Sequence, residues 1–118
     1  MKVIVKEPGK KARVAEVSDI REINQLCGNL DEKGLPLSVA TSDTRGPIGE
    51  DVDMYCNEKS AVNADLGANL WGPNNGAMYC GTLVFAGYNG NVNENFGAVS
   101  LNDKQTKFVL EFIKKQQD

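Results

Sequence analysis

Met78-Tyr79-Cys80-Gly81-Thr82-Leu83-Val84-Phe85-Ala86 is the stretch on which the fold turns. It is almost unbroken in apolar residues and is the strongest strand signal in the chain, which marks a central strand. Residues 79 to 86 are therefore expected at the middle of a sheet. Downstream, Asn89-Gly90 is the pair preferred in a tight type I′ hairpin turn. The chain would then return through Phe96-Gly97-Ala98-Val99. Upstream, Val52-Asp53-Met54-Tyr55-Cys56 alternates and predicts another strand.

The two ends supply the remaining elements. Val3 to Glu7 and Ala12 to Val17 flank the turn Pro8-Gly9-Lys10 and predict a β-hairpin. Pro8 has no N–H to give a ladder, so it belongs at a strand end. Asp19 with Glu22 has capping-box spacing, Ile20, Ile23, Leu26 and Cys27 share one helical face, and Gly28 suits a left-handed C-cap. Residues 19 to 27 thus predict a short helix packed on the hairpin. Ser100 or Asn102 caps a final helix whose buried face is Phe108, Val109, Phe112 and Ile113. Lys114 and Lys115 in its last turn complement the helix dipole. Between these elements lie a long polar segment, residues 29 to 51, and a polar, glycine-bearing stretch from Asn63 to Asn75. In the first, Leu35, Leu37 and Val39 alternate and could form a short strand. The order predicts an α+β fold, a single domain over residues 1 to 118, with a mostly antiparallel sheet and two helices packed on one face.

Composition narrows the functions open to the chain. A length of 118 residues supports one core. The net charge is −3 and the sequence pI about 5.0, with lysine pairs mainly near the ends, Lys10-Lys11 and Lys114-Lys115. Duplex DNA is not an expected partner, because phosphate-tracking surfaces need a clustered basic excess. No apolar run approaches the roughly 20 residues of a membrane span, and the apolar part of Met1-Lys2-Val3-Ile4-Val5 is too short for a signal peptide. A cytoplasmic protein is expected. Cys27, Cys56 and Cys80 are odd in number and hold no C-x-x-C pair, so three reduced thiols are expected.

There is no histidine. That removes Ser-His-Asp and Cys-His catalysis, the H-E-x-x-H zinc site and most imidazole proton shuttles. Carboxylate chemistry, lysine or tyrosine bases and a Mg²⁺ site stay open. Asn89, Asn91, Asn93 and Asn95 have the spacing of a calcium loop's first ligands. However, Glu94 is the only carboxylate among them, and Ser100 stands where a bidentate Glu is required. A polar hairpin tip is the better reading. No P-loop or dinucleotide fingerprint occurs. No metal or cofactor is expected.

Glu50, Asp51 and Asp53 precede or open a strand. They could hold Mg²⁺ in a nucleotide hydrolase, or form a solvated edge that charge protects from aggregation. Arg45, at the tip of the long segment, could grip a phosphate through its planar fork or be ordinary surface. Trp71, in Asn69-Leu70-Trp71-Gly72-Pro73-Asn74-Asn75, is either a core plug or a stacking platform for a flat ring. Asn57 and Asn69 each carry a donor and an acceptor suited to sugar hydroxyls and base edges. The candidate ligand-binding set is Arg45, Asn57, Asn69 and Trp71. Its expected ligand is a small anionic nucleotide-derived molecule, held by a non-enzymatic protein that is expected to be a homo-oligomer.

Several motifs carry a resemblance. The hairpin with Glu7-Pro8-Gly9-Lys10, Cys56-Asn57-Glu58-Lys59, Leu66-Gly67-Ala68-Asn69, Gly81-Thr82-Leu83-Val84-Phe85-Ala86-Gly87 and Ser100-Leu101-Asn102-Asp103 resemble the DUF3846 family of small phage and mobile-element proteins. The chain departs from that pattern after Gly28, where its long polar segment stands. The resemblance implies a phage context, in which small proteins often antagonise host defence. A sponge for a nucleotide-derived immune signal is the reading it suggests. A protein inhibitor of a host defence enzyme or CRISPR effector is the alternative, with an acidic surface imitating nucleic acid.

Overall fold

The computed structural model describes residues 1–30, 33–34, 40–43, 50–72, 76–91 and 93–117. The hairpin forms as read, from β1 (Lys2–Lys6) and β2 (Arg13–Glu16), paired antiparallel with Ile4 opposite Val14. Helix α1 (Ile20–Cys27) follows. Asp19 accepts the Arg21 N–H at 2.9 Å, and Glu22 reaches back to the Ser18 N–H at 3.0 Å, one residue earlier than a capping box would place it. Strands β3 (Ala40–Asp43) and β4 (Val52–Cys56) come next, then a single 3-10 turn (Ala64–Leu66) and β5 (Ala68–Trp71). The chain closes with β6 (Met78–Cys80), β7 (Leu83–Tyr88), β8 (Ala98–Val99) and α2 (Asp103–Gln117). The class is α+β, and every strand pair is antiparallel.

Strand order in the main sheet is β2-β1-β7-β4-β3, with β8 also on β7. β7 is central, but the apolar run that predicts it is not one strand. Gly81 breaks it, with φ +85, a left-handed conformation that a side chain would strain. Its N–H donates to the Gly67 carbonyl at 2.8 Å. Residues 78–80 before the break leave the main sheet and pair with β5 in a two-stranded ribbon. The polar stretch from Asn63 thus contains a strand that its composition hides. The Asn89-Gly90 turn is also longer than read. The β7–β8 connection runs through Asn91 and a 3-10 turn at Asn95–Gly97. Asn89 and Asn91 spend their side-chain oxygens on the N–H groups of Asn91 and Asn93. The alternating asparagines are therefore successive Asx turns. The alternation at Leu35, Leu37 and Val39 lies outside the described residues.

The helices do not share a face. Ile20, Ile23 and Cys27 of α1 pack with Val3, Val5, Tyr55, Val84 and Ala86. Val109 and Ile113 of α2 pack with Ile4, Val52, Met54, Leu83 and Phe85, joined by Phe108 and Phe112. The two sets alternate along β1, β4 and β7, so they occupy opposite faces of the sheet. The expected one-sided arrangement is corrected: both faces of the central strands are apolar, and each needs its own cover. At the start of α2, Asn102 and Gln105 form a reciprocal cap, with Gln105 N–H to Asn102 at 2.8 Å and Asn102 N–H to Gln105 at 3.0 Å.

All three cysteines are buried and free. Burial and the neighbouring Cys56 push the Cys27 thiol up to about 12, and burial raises Cys56 as well. Since the thiolate is the nucleophile, Cys27 has about one reactive molecule in ten thousand at pH 8. Alkylation at pH 8 is expected to leave the folded protein unlabelled over hours and to label three thiols in denaturant. Rapid modification of the folded protein would contradict this burial.

Candidate functional site

Asn57 sits just past β4, against the end of α1. Its amide nitrogen donates to the carbonyls of Cys27 at 2.9 Å and Gly28 at 3.3 Å, and its oxygen accepts the Lys59 N–H at 2.9 Å. Gly28 has φ +78, and a Cβ there would lie 3.1 Å from that same nitrogen. The left-handed cap and the asparagine fit one another. Beside them Asn29 is buried, donating to the Cys56 carbonyl and accepting the Glu58 N–H, both at 2.9 Å. Asn29, Asn57, Glu58, Lys59 and Leu66 help to line a depression of about 270 Å³.

Asn69, on β5, works at a different junction. Its nitrogen donates to the carbonyls of Lys6 and Gly81, both at 2.8 Å, and its oxygen accepts the Lys6 ammonium at 3.1 Å. Lys6 also donates to the Glu7 carbonyl at 2.8 Å and is buried, which lowers its pKa. Asn69 thus joins the end of β1, the Gly81 break and the ribbon. Two residues on, Trp71 is 54% exposed, so it is not a core plug. Its N–H donates to the Gln116 side chain at 2.7 Å, and its carbonyl accepts from Gln116 at 3.0 Å. Leu70 between them is fully buried in the α2-side core. The ribbon is pinned by a core leucine, a buried lysine and a helix glutamine, with an indole facing solvent.

Of the four expected site residues, Asn69 and Trp71 share β5. Asn57 lies in the depression by α1, and Arg45 falls outside the described residues. Both asparagines spend both amide hydrogens on main-chain carbonyls, which sequence could not reveal. The carboxylates diverge. Glu50 pairs with Lys104 of α2 at 3.5 Å, whereas Asp53 alternates with Val52 and Met54 and so belongs to the α1 face. Among the described residues, no three acidic or thiol side chains gather as a metal site would need.

Gln105 was missed as a structural residue. Its side-chain nitrogen donates to the carbonyls of Glu50 at 2.9 Å and Asp51 at 3.0 Å. Both those residues have positive φ, 78° and 51°. The three-residue spacing from Asn102 could have marked Gln105 as a cap, but not this second role.

A family model described as "Domain of unknown function (DUF3846)" matches residues 1–115. No curated protein and no solved structure matches the chain. Among the described residues, no helix is long and apolar enough to cross a membrane.

Proposed function

The chain belongs to the DUF3846 family, and from the exposed indole on its pinned ribbon we propose that it is a non-enzymatic binding protein working through Trp71. The observation that carries this reading is the Gln116 clamp on both main-chain groups of a half-exposed tryptophan. The main chain that carries the indole is already ordered, so it loses little freedom when a target docks. Stacking on a flat ring contributes about 1–3 kcal/mol per base. The ligand class is a small anionic nucleotide-derived molecule, and the role is sequestration of an immune signal in the cytoplasm of a phage-infected host.

A second reading has its own observation. The amide hydrogens of Asn57 and Asn69 are committed to main-chain carbonyls, so they are not available to read sugar hydroxyls. This favours a protein surface over a nucleotide against Trp71, as in an inhibitor of a host defence enzyme. Tryptophan is among the residues enriched at binding hot spots.

Trp71 is the only tryptophan, so intrinsic fluorescence reports on it alone. Titration with cyclic and linear nucleotides is expected to quench or shift its emission. Trp71→Ala is expected to weaken binding about tenfold or more, by loss of stacking, with an unchanged melting temperature. Mass spectrometry of small molecules released on heating identifies a co-purified ligand. A stoichiometric protein partner lost in Trp71→Ala, with no nucleotide response, selects the inhibitor reading. Unchanged binding of either target by the variant overturns the proposal.

A further inference from the structure

Among the described residues the main sheet ends at β2, and the exposed side of that strand has an ordered chemistry. Val14 lies opposite Ile4, so its side chain is on the α2 face, where Ile4 is fully buried and Val14 is 53% exposed. α2 lies under this part of the sheet. Its flank toward β1 is marked by the Lys2–Asp103 pair at 3.9 Å, and its opposite flank by Glu50 with Lys104. Asp103, Thr106 and Leu110 follow one another along the β1 flank at helical spacing. Leu110 is 41% exposed there. Two of the exposed large aliphatic side chains therefore belong to the same side of the molecule.

The main chain of β2 is set for a further strand. The Val17 N–H donates to the Met1 carbonyl at 2.9 Å, and the Met1 amine donates to the Val17 carbonyl at 2.8 Å. In an antiparallel ladder this alternates, so Arg13 and Ala15 bond inward to β1. Val14 and Glu16 consequently turn their N–H and C=O groups outward. Charge along the strand is divided by sign. Lys10, Lys11 and Arg13 lie at one end, where Glu7 meets Lys10 at 3.3 Å and Arg13 at 3.6 Å and leaves a basic excess. Glu16 and Asp19 lie at the other, where the Met1 amine meets Glu16 at 3.2 Å and leaves an acidic excess. Charges usually guard an edge strand against pairing. When they are separated in this way, antiparallel self-pairing sets unlike ends together, whereas parallel pairing sets like ends together.

We propose that β2 pairs antiparallel with β2 of a second copy, with Val14 opposite the partner subunit's Val14 on the two-fold axis. Glu16 then lies opposite the partner subunit's Ala12, just before its β2, so both outward-facing residues of each strand take part. A two-fold perpendicular to the sheet keeps both α2 helices on the same side and turns their Leu110 flanks toward each other. The interface is small, which sets the expectation of a reversible dimer rather than an obligate one. The Trp71 reading is not needed for it, and neither depends on the other.

Sedimentation of the full chain over a dilution series tests this. The wild type is expected to be a dimer at high micromolar concentration and to dissociate on dilution. Val14→Lys, which places a charge on the axis, is expected to weaken the dimer about tenfold or more, with an unchanged circular dichroism spectrum. Val14→Cys gives a second readout. Directly opposed, hydrogen-bonded residues have Cα atoms about 5.5 Å apart, within disulfide reach. Mild oxidation should therefore yield a covalent dimer on non-reducing gels, since the native thiols are buried. A wild type that stays monomeric, a dimer that Val14→Lys leaves unchanged, or a Val14→Cys protein that does not cross-link overturns the proposal.

Discussion

Phe85→Ala is expected to lower the unfolding free energy by about 3–5 kcal/mol, the range for deleting a buried phenylalanine side chain. Phe85 is 1% exposed on the central strand, flanked by Ile4 of β1 and Met54 of β4. Its ring meets Phe112 of α2 edge-on, with centroids 6.0 Å apart and planes at 66°. The truncation removes apolar contacts from three strands and a helix at once, and the surrounding sheet cannot collapse into the space. Domains of this kind have only about 5–15 kcal/mol of stability, so the loss is a large share of it. Urea unfolding should show a much lower midpoint with an unchanged slope. Phe112→Ala should cost less, because Phe112 is only partly buried. A loss below about 1 kcal/mol for Phe85→Ala would mean that the α2-side core is not organised around this ring.

Asn29→Ala should be nearly as damaging, at about 2–4 kcal/mol, for a different physical reason. The side chain is 2% exposed and joins two chain segments through main-chain partners, the Cys56 carbonyl and the Glu58 N–H, both at 2.9 Å. Alanine leaves a buried carbonyl and a partly buried N–H to lose their partners together, and each unsatisfied group costs its desolvation penalty. Asn29→Asp keeps an acceptor for Glu58 but sets a carboxylate against the Cys56 carbonyl, so it is not a rescue. Asn57→Ala should be milder, because that amide is nearer solvent. Thermal unfolding of the three variants checks the order. Asn29→Ala within about 0.5 kcal/mol of wild type would show that the two loops hold together without it.

What sequence could show depended on the range of the interaction involved. The hairpin, α1 with Asp19 and Gly28, and the buried positions Val109 and Ile113 are local patterns, and they are present as read. The covering of both sheet faces was written into Leu83-Val84-Phe85-Ala86, where every residue is apolar. One helix face cannot cover both sides of such a strand. The Gly81 break was less legible, because the apolar run continues through it and its cause is a contact with Gly67. β5 escaped because Ala68 and Asn69 are weak strand formers, and its register shifts between Ala68 and Leu70. At the candidate site, the exposure of Trp71 was one of two open readings. The roles of Asn57 and Asn69 were not legible, since a loop asparagine that bonds distant carbonyls looks the same in sequence as one facing a ligand.

The position of β1 has a consequence for how the molecule comes into being. β1 pairs with β2 through a short turn, but its other neighbour is β7, with Ile4 opposite Phe85. Its first residue also accepts distant closure, through Lys2 N–H to Ser100 at 2.6 Å and Leu101 N–H to the Lys2 carbonyl at 2.9 Å. A nascent chain can make the hairpin and α1 early, yet it leaves one edge of β1 and one whole apolar face waiting. Loop closure must precede the contacts that reward it, and topologies of this kind fold slowly. The emerging hairpin therefore waits with an open strand edge until β7 is made, the period in which such edges recruit wrong partners. β7 closes that edge, and α2 then covers that face.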